Sequence, residues 1–539
     1  MSNVFESALE QAKAGDLNKA WNILVLNTAT LDLRELHLML DIALLSKQTS
    51  RQEESLKRLI DKQPLNYQWS NQLAFLYFNA QQFAQSVEVI QSYLVTSPNN
   101  PSAWFNLAYM MKFTGDHLGA IGAYEKALSL NVDSPEEVHC NLGNIYSQEL
   151  LDAEKAKQHY TKALKFNSSY VQAKFNLAGL QEREGKLEAA GKAFLACAEE
   201  PNYRLKSLTR ALELVIEPKD KYKLVKDIEK FLSLESLQES AIDAVDAFFS
   251  LGRFYESEGL YNNAWDRYSE ANRLDAQQRS SECVKQSLAQ CELIKSSFDF
   301  NAVTPSDDRE LVFICGLFRS GSTLLESMLA THPNLNSGGE IDVFRNHLFA
   351  DLNAFSAPLV LNNKLAEDII EQYLKRINAQ NNSASGKQVF RIIDKQPENF
   401  LVLGYIKKLF PKAKFIWTCR EKSNNVLSIF TQHLGFYQPY SCNLSNICTF
   451  YQQHLDLLTY WQQFYADDIK RVNYEDLVAR PDEVMSEIQT FLNISADKSF
   501  DKFHQSNRLV STASMAQVRK PLHKNALHRA EAFKKWMDI

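Results

Sequence analysis

The stretch 311–323 reads Leu-Val-Phe-Ile-Cys-Gly-Leu-Phe-Arg-Ser-Gly-Ser-Thr. It has the form of a short buried strand, a turn and the start of a helix. Gly316 and Gly321 take the places of the glycines in a phosphate-binding loop, and Ser322 stands where such a loop has its lysine. Arg319 supplies a cation from inside the turn. A loop of this form can cradle a di-anionic group on backbone N–H groups at a helix N-terminus. Without the lysine it is a poor candidate for an ordinary nucleotide triphosphatase.

The elements that must position this turn lie in the same half. Beyond Ser306-Asp307-Asp308 strand-like runs alternate with helical ones. That pattern predicts an α/β domain with a mostly parallel sheet over 306–539. Strands are expected at 310–315, 388–393, 414–419 and 469–473. Helices are expected at 323–331, 341–349, 364–379, 400–410, 423–432, 444–465 and 481–492.

The first half repeats itself. Leu73-Ala74, Leu107-Ala108, Leu142-Gly143 and Leu177-Ala178 recur at spacings of 34, 35 and 35. Small residues follow the last three at Ala120, Ala156 and Ala190. Aromatics come next at Tyr124, Tyr160 and Phe194, and Ala127, Ala163 and Cys197 close the units. Trp69 and Trp104 open two of them. A later unit holds Leu251, Gly252, Tyr255, Ala264, Tyr268 and Ala271. The pattern resembles the tetratricopeptide repeat, a helix–turn–helix of about 34 residues. Small residues let the paired helices approach, and large ones fill the gap to the next pair. Each pair buries its face only by stacking on a neighbour. Residues 1–66 and 205–240 keep helical periodicity without the full signature and read as degenerate repeats. A helical solenoid over 1–300 is expected.

Composition bounds the rest. The 539 residues exceed one ordinary domain. Apolar content of 45% and charged content of 23% are those of a globular protein. A net charge of −6 argues against a general nucleic-acid binder. None of the eight cysteines forms a Cys-x-x-Cys pair. They read as reduced core residues in a reducing compartment. The first ten residues have the pattern of an amphipathic helix carrying acids rather than a signal peptide. No apolar run approaches the ~20 residues that span a bilayer. A cytoplasmic protein without a membrane span is expected.

Five stretches then carry a family resemblance. They are Gly316-Leu-Phe-Arg-Ser-Gly-Ser-Thr323, Ser337-Gly-Gly-Glu340, Asp394-Lys-Gln-Pro-Glu-Asn399, Phe410-Pro-Lys-Ala-Lys-Phe-Ile-Trp-Thr-Cys-Arg420 with Ser428, and Val472-Asn-Tyr-Glu-Asp-Leu477. A sixth, Thr512-Ala-Ser-Met-Ala-Gln-Val-Arg-Lys-Pro521, supports them. In this order and spacing, behind the repeats, they resemble the tetratricopeptide-repeat sulfotransferases of bacteria and, more distantly, tyrosylprotein sulfotransferases. The resemblance implies a phosphate-loop-like α/β sulfotransferase domain. It implies 3′-phosphoadenosine 5′-phosphosulfate as donor, transfer of a sulfuryl group to a hydroxyl or amine, and no metal.

The resemblance also assigns roles. Arg319, Ser320, Gly321, Ser322 and Thr323 would wrap the 5′-phosphosulfate. Glu340 would be the general base, with Asp342 and His347 as nearby alternatives, or it would simply cap the helix at 341–349. Lys395 would reach the bridging oxygen. Arg420 and Ser428 would bind the 3′-phosphate. Tyr474 would lie near the adenine, while Ser514 and Lys520 would close over the nucleotide as part of a lid. Two places depart from the family pattern. Glu421-Lys422 stands where many members have Asp-Pro, and His528-Arg529-Ala530 stands where relatives tend toward Gly-Arg-Trp. Closure over the 3′-phosphate would then rest on Arg529.

Relatives sulfate peptide tyrosines, glycans and small molecules. A macromolecular acceptor is expected here, because the array is larger than a small substrate needs. The repeats could hold a peptide, protein or glycan, or pair two subunits. The segment 353–363 and the Asn-rich loop 378–385 are expected to flank the acceptor entrance. A non-catalytic repeat scaffold with a vestigial nucleotide site is one alternative. A phosphate-loop kinase is another, though Ser322 replaces its lysine and strand 414–419 leads into Arg420 rather than an acid.

Overall fold

A computed structural model describes residues 3–27, 31–150, 152–214, 217–233, 241–299, 301, 306–349, 360–383, 391–435, 438–505, 520–522 and 525–537. The chain divides into two compact units, Met1–Ile145 and Tyr146–Ile539.

The first unit is a series of helix pairs: Asn3–Lys13 with Leu17–Leu26, Leu33–Leu45 with Thr49–Lys62, Tyr67–Asn79 with Phe83–Thr96, and Pro101–Met111 with His117–Ser129. Pro135–Asn144 comes last. Short polar residues start several of these helices. Asp16, Asn66, Asn100 and Asp116 each accept a backbone N–H from the first turn, and Asp32 and Glu35 form a reciprocal capping box. The small signature residues Ala74, Ala108, Ala120 and Ala127 are fully buried. That is why the helices can pack so closely.

In the second unit the helical array continues from Ala153–Phe166 to Ser281–Ser297. Tyr160, Phe194 and Tyr268 are buried at the signature positions, each contributing roughly 1.5–3 kcal/mol by burial. Residues 204–232 form the helices Arg204–Leu214 and Pro218–Leu232 despite lacking the signature. These later repeats pack directly on the α/β part of the same unit. Buried residues from Ala178 to Phe298 share one hydrophobic core with Phe313, Phe415 and Trp417 of its sheet.

That sheet has five parallel strands: β1 (Val312–Gly316), β2 (Leu335–Gly339), β3 (Arg391–Asp394), β4 (Lys414–Cys419) and β5 (Ile469–Asn473). Their order is β2-β3-β1-β4-β5. Alternation sorts the strand residues to two faces. Phe313, Cys315, Phe415 and Trp417 face the core shared with the repeats. Val312, Ile314, Ile393 and Ile416 face a second core closed by helices Ser322–Leu329 and Pro481–Phe491. The sheet is thus covered on both sides, as parallel sheets require.

Two expectations need correction. β2 was not foreseen, because Leu-Asn-Ser-Gly-Gly has little strand propensity. As an edge strand it needs only one neighbour, β3, and its register shifts between Ser337 and Gly339. The Asn-rich segment expected as a loop is helical as far as Ser383, within Asn363–Ser383. Residues 353–359 and 384–385 of the expected acceptor entrance lie outside the described residues. Smaller shifts occur elsewhere. The helix expected at 400–410 is a 3-10 turn, Pro397–Phe400, followed by Leu403–Leu409. None of the eight cysteines is in a disulfide, and five of them are buried. No described helix is long and apolar enough to cross a membrane.

Candidate active site

All five strands end on one edge of the sheet, and a candidate follows each end. β1 runs into the turn carrying Arg319. Glu340 comes directly after β2, Lys395 after β3, Arg420 after β4 and Tyr474 after β5. The carboxyl edge of an open parallel sheet is where such folds bind ligands. The strand order sets the candidates in a row: Glu340, Lys395, the turn, Arg420, Tyr474. With strands ~4.8 Å apart the row spans about 20 Å.

The turn is shaped by close contacts as much as by torsion angles. Gly316 has φ +137°, and a Cβ there would lie 2.3 Å from the Thr418 carbonyl oxygen. Gly321 has φ +100°, and a Cβ would meet the Tyr474 ring at 2.5 Å. Arg319 itself adopts φ +66°. Side chains from β4 and the next helix hold this conformation. Ser320 Oγ and Thr418 Oγ1 are hydrogen-bonded at 2.7 Å, Thr418 Oγ1 donates to Cys315 O, and Asn425 Nδ2 donates to Phe318 O. The Ser320 hydroxyl therefore ties the turn to β4. Ser322 and Thr323 begin the helix Ser322–Leu329, whose N-cap Gly321 provides no side-chain cap. First-turn N–H groups of a helix have no partner within the helix itself.

Arg319, Arg420, Ser428 and Tyr474 come together beside the turn. Arg319 Nε donates to Ser428 Oγ at 3.1 Å. Arg420 donates from Nη1 to Arg319 O and from Nη2 to Ala526 O, and its guanidinium stands 4.7 Å from the Tyr474 ring centre. Its Nε is buried and has no hydrogen-bond partner among the described residues. Burial pulls Arg319 down to about 9, helped by the charges of Arg420, Arg529 and Arg253. Burial also lowers Arg420, with Arg529 adding to the shift and Tyr474, Glu475 and Glu421 opposing it. An anion would relieve the repulsion in this group. At the Glu421-Lys422 departure the turn still forms. Glu421 caps the helix Lys422–Phe430, accepting from the Ser423 and Asn424 N–H groups.

At the other end of the row, Lys395 Nζ donates to Glu340 Oε1. The Lys395 side chain is 1% exposed and that of Glu340 37%, so the carboxylate is the reachable partner. The pairing of β2 with β3 aligns them, and Lys395 N donates to Gly339 O. Helix Val343–Leu348 has Asp342, not Glu340, at its N-cap. Asp342 accepts from Asn346 Nδ2, and His347 Nδ1 donates to Val343 O, so both are engaged within their own helix. Asp394, one residue before the lysine, is fully buried. Burial pushes its carboxyl up to about 8, against the Tyr373 hydroxyl, the Ile341 N–H and the Lys395 charge.

Residues 311–498 match the sulfotransferase family, and 101–132 and 136–170 match the tetratricopeptide repeat. The chain joins tetratricopeptide repeats to a sulfotransferase-family domain. Protein-tyrosine sulfotransferase 1 of Danio rerio is 28% identical over 215 residues, which is 36% of this chain and 57% of its own length. An uncharacterised protein of Aquifex aeolicus is 24% identical over 240 residues, 42% of this chain and 31% of its own. The chain thus spans less than two thirds of either relative. The sulfotransferase domain of the Synechococcus PCC 7002 olefin synthase is 20% identical, covering 45% of this chain and 98% of that domain, at a TM-score of 0.31.

Past the matched residues, Arg529 gives both Nε and Nη2 to Glu256, at 2.5 and 2.7 Å. Glu256 lies in the repeat helix Ala241–Ser257 and was not singled out from sequence. Only its place in a repeat unit, one residue after Tyr255, could have flagged it. Asn424 accepts from Ala530 N and donates to Leu527 O, fastening the same segment to the helix Lys422–Phe430. Lys520 is exposed at the edge of the described residues, and Ser514 lies outside them. Among the described residues no three His, Cys, Asp or Glu side chains gather as a metal ion would need.

Proposed function

We propose that the chain is a sulfotransferase using 3′-phosphoadenosine 5′-phosphosulfate, with 306–539 as the catalytic domain and 1–300 as the repeat array. One observation carries the reading: the five candidates follow the five strand ends in a single row, anion-binding groups on one side and a lysine–glutamate pair on the other. The donor's chemistry suits this layout. The close glycine turn, the helix N-terminus at Ser322 and Thr323, and the buried Nε of Arg420, which has no partner among the described residues, fit a nucleotide with two anionic ends. Bound, the donor supplies a sulfuryl group activated by its bond to phosphate.

In this reading Arg319 and the first-turn N–H groups, including those of Ser322 and Thr323, neutralise the 5′ end. Ser320 and Gly321 shape the turn. Arg420 and Ser428 hold the 3′-phosphate, Tyr474 packs near the adenine, and Ser514, Lys520 and Arg529 close over the nucleotide. Lys395 steadies the oxygen that leaves with the nucleotide, and Glu340 takes the proton from the acceptor hydroxyl. Their ion pair holds both groups in register until each meets its own partner. The acceptor is a peptide, protein or glycan held by the repeats.

The test is transfer of labelled sulfate from the donor to a panel of tyrosine peptides, glycans and small phenols. Label on any acceptor class, lost in Glu340→Gln, is the expected result. Label on none, together with phosphorylation from ATP, would move the assignment to a kinase.

A further inference from the structure

The repeat helix Ala241–Ser257 brings a second residue to the same place as Glu256. Arg253 is three positions earlier and so lies on the same helical face. Its Nη2 donates to Glu213 Oε1, and the other Glu213 oxygen lies 3.7 Å from Arg210. That contact anchors one arm of the guanidinium. The other arm, Nη1, is buried and has no hydrogen-bond partner among the described residues. Arg420 Nε has the same deficit among the described residues. Leaving such charged donors unsatisfied is costly unless a ligand meets them. The group is close-knit. Glu256 grips Arg529 through both oxygens and also accepts from Tyr268. The Arg529 segment is bonded to Asn424, on the helix whose Ser428 accepts from Arg319. The charge of Arg253 is felt at Arg319.

We propose that Arg253, from the repeat array, is a donor-binding residue that takes the 3′-phosphate of the nucleotide, while Glu256 is a positioning residue that aims Arg529 at the same group. The inference rests on the proposed donor. It makes the repeats part of the nucleotide site rather than only an appendage for the acceptor. It also makes them a determinant of specificity, because only a nucleotide with a 3′-phosphate uses Arg253.

The experiment is calorimetric titration of the full chain with adenosine 3′,5′-bisphosphate and with adenosine 5′-monophosphate. Wild type is compared with Arg253→Ala, Arg253→Lys and Glu213→Gln. Arg253→Ala is expected to weaken the bisphosphate roughly tenfold or more and leave the monophosphate unchanged. Arg253→Lys should fall between, keeping the charge without the fork. Glu213→Gln removes the anchor's charge but keeps an oxygen that accepts from the guanidinium, and should stay near wild type. An equal loss for both nucleotides in Arg253→Ala, or the same loss in Glu213→Gln, would make the role structural and overturn the proposal. A wild type that binds the bisphosphate while Arg253→Ala binds it equally well overturns this inference alone. A wild type that binds neither nucleotide removes the donor reading and this inference with it.

Discussion

Lys395 and Glu340 pair across the ends of two adjacent parallel strands, the lysine buried and the glutamate reachable from solvent. The contact holds the two side chains in fixed register at the carboxyl edge of the sheet. In the proposed reaction the two have different duties. Glu340→Gln should lower kcat roughly 10²–10⁴-fold, the usual worth of a positioned base, with nucleotide affinity nearly unchanged. Steady-state kinetics with any accepted substrate, beside nucleotide titration, checks this. A variant that loses nucleotide affinity in parallel would make Glu340 a structural partner of Lys395 instead.

Arg420 should behave oppositely. It lies at the far side of the turn, with no hydrogen-bond partner for its Nε among the described residues. Arg420→Ala should weaken adenosine 3′,5′-bisphosphate about 10–100-fold, the worth of hydrogen bonds to a charged group. Ser428→Ala should cost less, because Arg319 retains its backbone setting. Equilibrium titration of the two variants gives the comparison. An Arg420→Ala variant that is folded and binds normally contradicts the placement of the nucleotide.

Gly321 is constrained twice, by φ +100° and by the Tyr474 ring. Gly321→Ala should destabilise the chain by about 1–3 kcal/mol. Part of that cost is steric and part torsional. Tyr474→Ala in the same chain should recover the steric part, so the double variant should unfold less readily than the sum of the two singles predicts. Denaturant unfolding of the four chains measures the coupling. Strict additivity would mean the ring gives way freely.

Asp394 sets a pH dependence. Its carboxyl is raised to about 8 in the fold, against about 3.9 for an exposed aspartate. Between those values the folded chain holds a proton that the unfolded chain has released. Stability from this group is therefore present at low pH and declines as pH rises from about 4 to about 8. Asp394→Asn should remove that slope. Wild type and variant compared by urea unfolding at about pH 5 and about pH 8 should show the variant gaining on wild type at the higher pH. A constant difference would contradict the buried acid.

Much of this was legible in the sequence, for identifiable reasons. Strand 414–419 is a short, mostly apolar run, and strand 469–473 alternates Ile469 and Val472 with charged residues before Asn473; both have clear ends and match the expected bounds to the residue. The repeats were readable because alanine at 120 and 127 and tyrosine at 124 must sit at fixed positions between helices. β2 was not, since Asn-Ser-Gly-Gly forms a strand only by leaning on β3. The row of candidates needed the strand order, which no local pattern contains. The Glu256–Arg529 contact joins residues 273 positions apart, and nothing in either neighbourhood announces the other. Ser320 was grouped with the donor-binding residues by its place in the turn, whereas its hydroxyl is spent on Thr418.

The most direct measurement is calorimetric titration of the full chain with adenosine 3′,5′-bisphosphate and with ATP and magnesium, for wild type and Arg319→Ala. Tight binding of the bisphosphate, weak binding of ATP, and loss of the bisphosphate in the variant are the expected result. No bisphosphate binding, or a preference for ATP with magnesium, would contradict it.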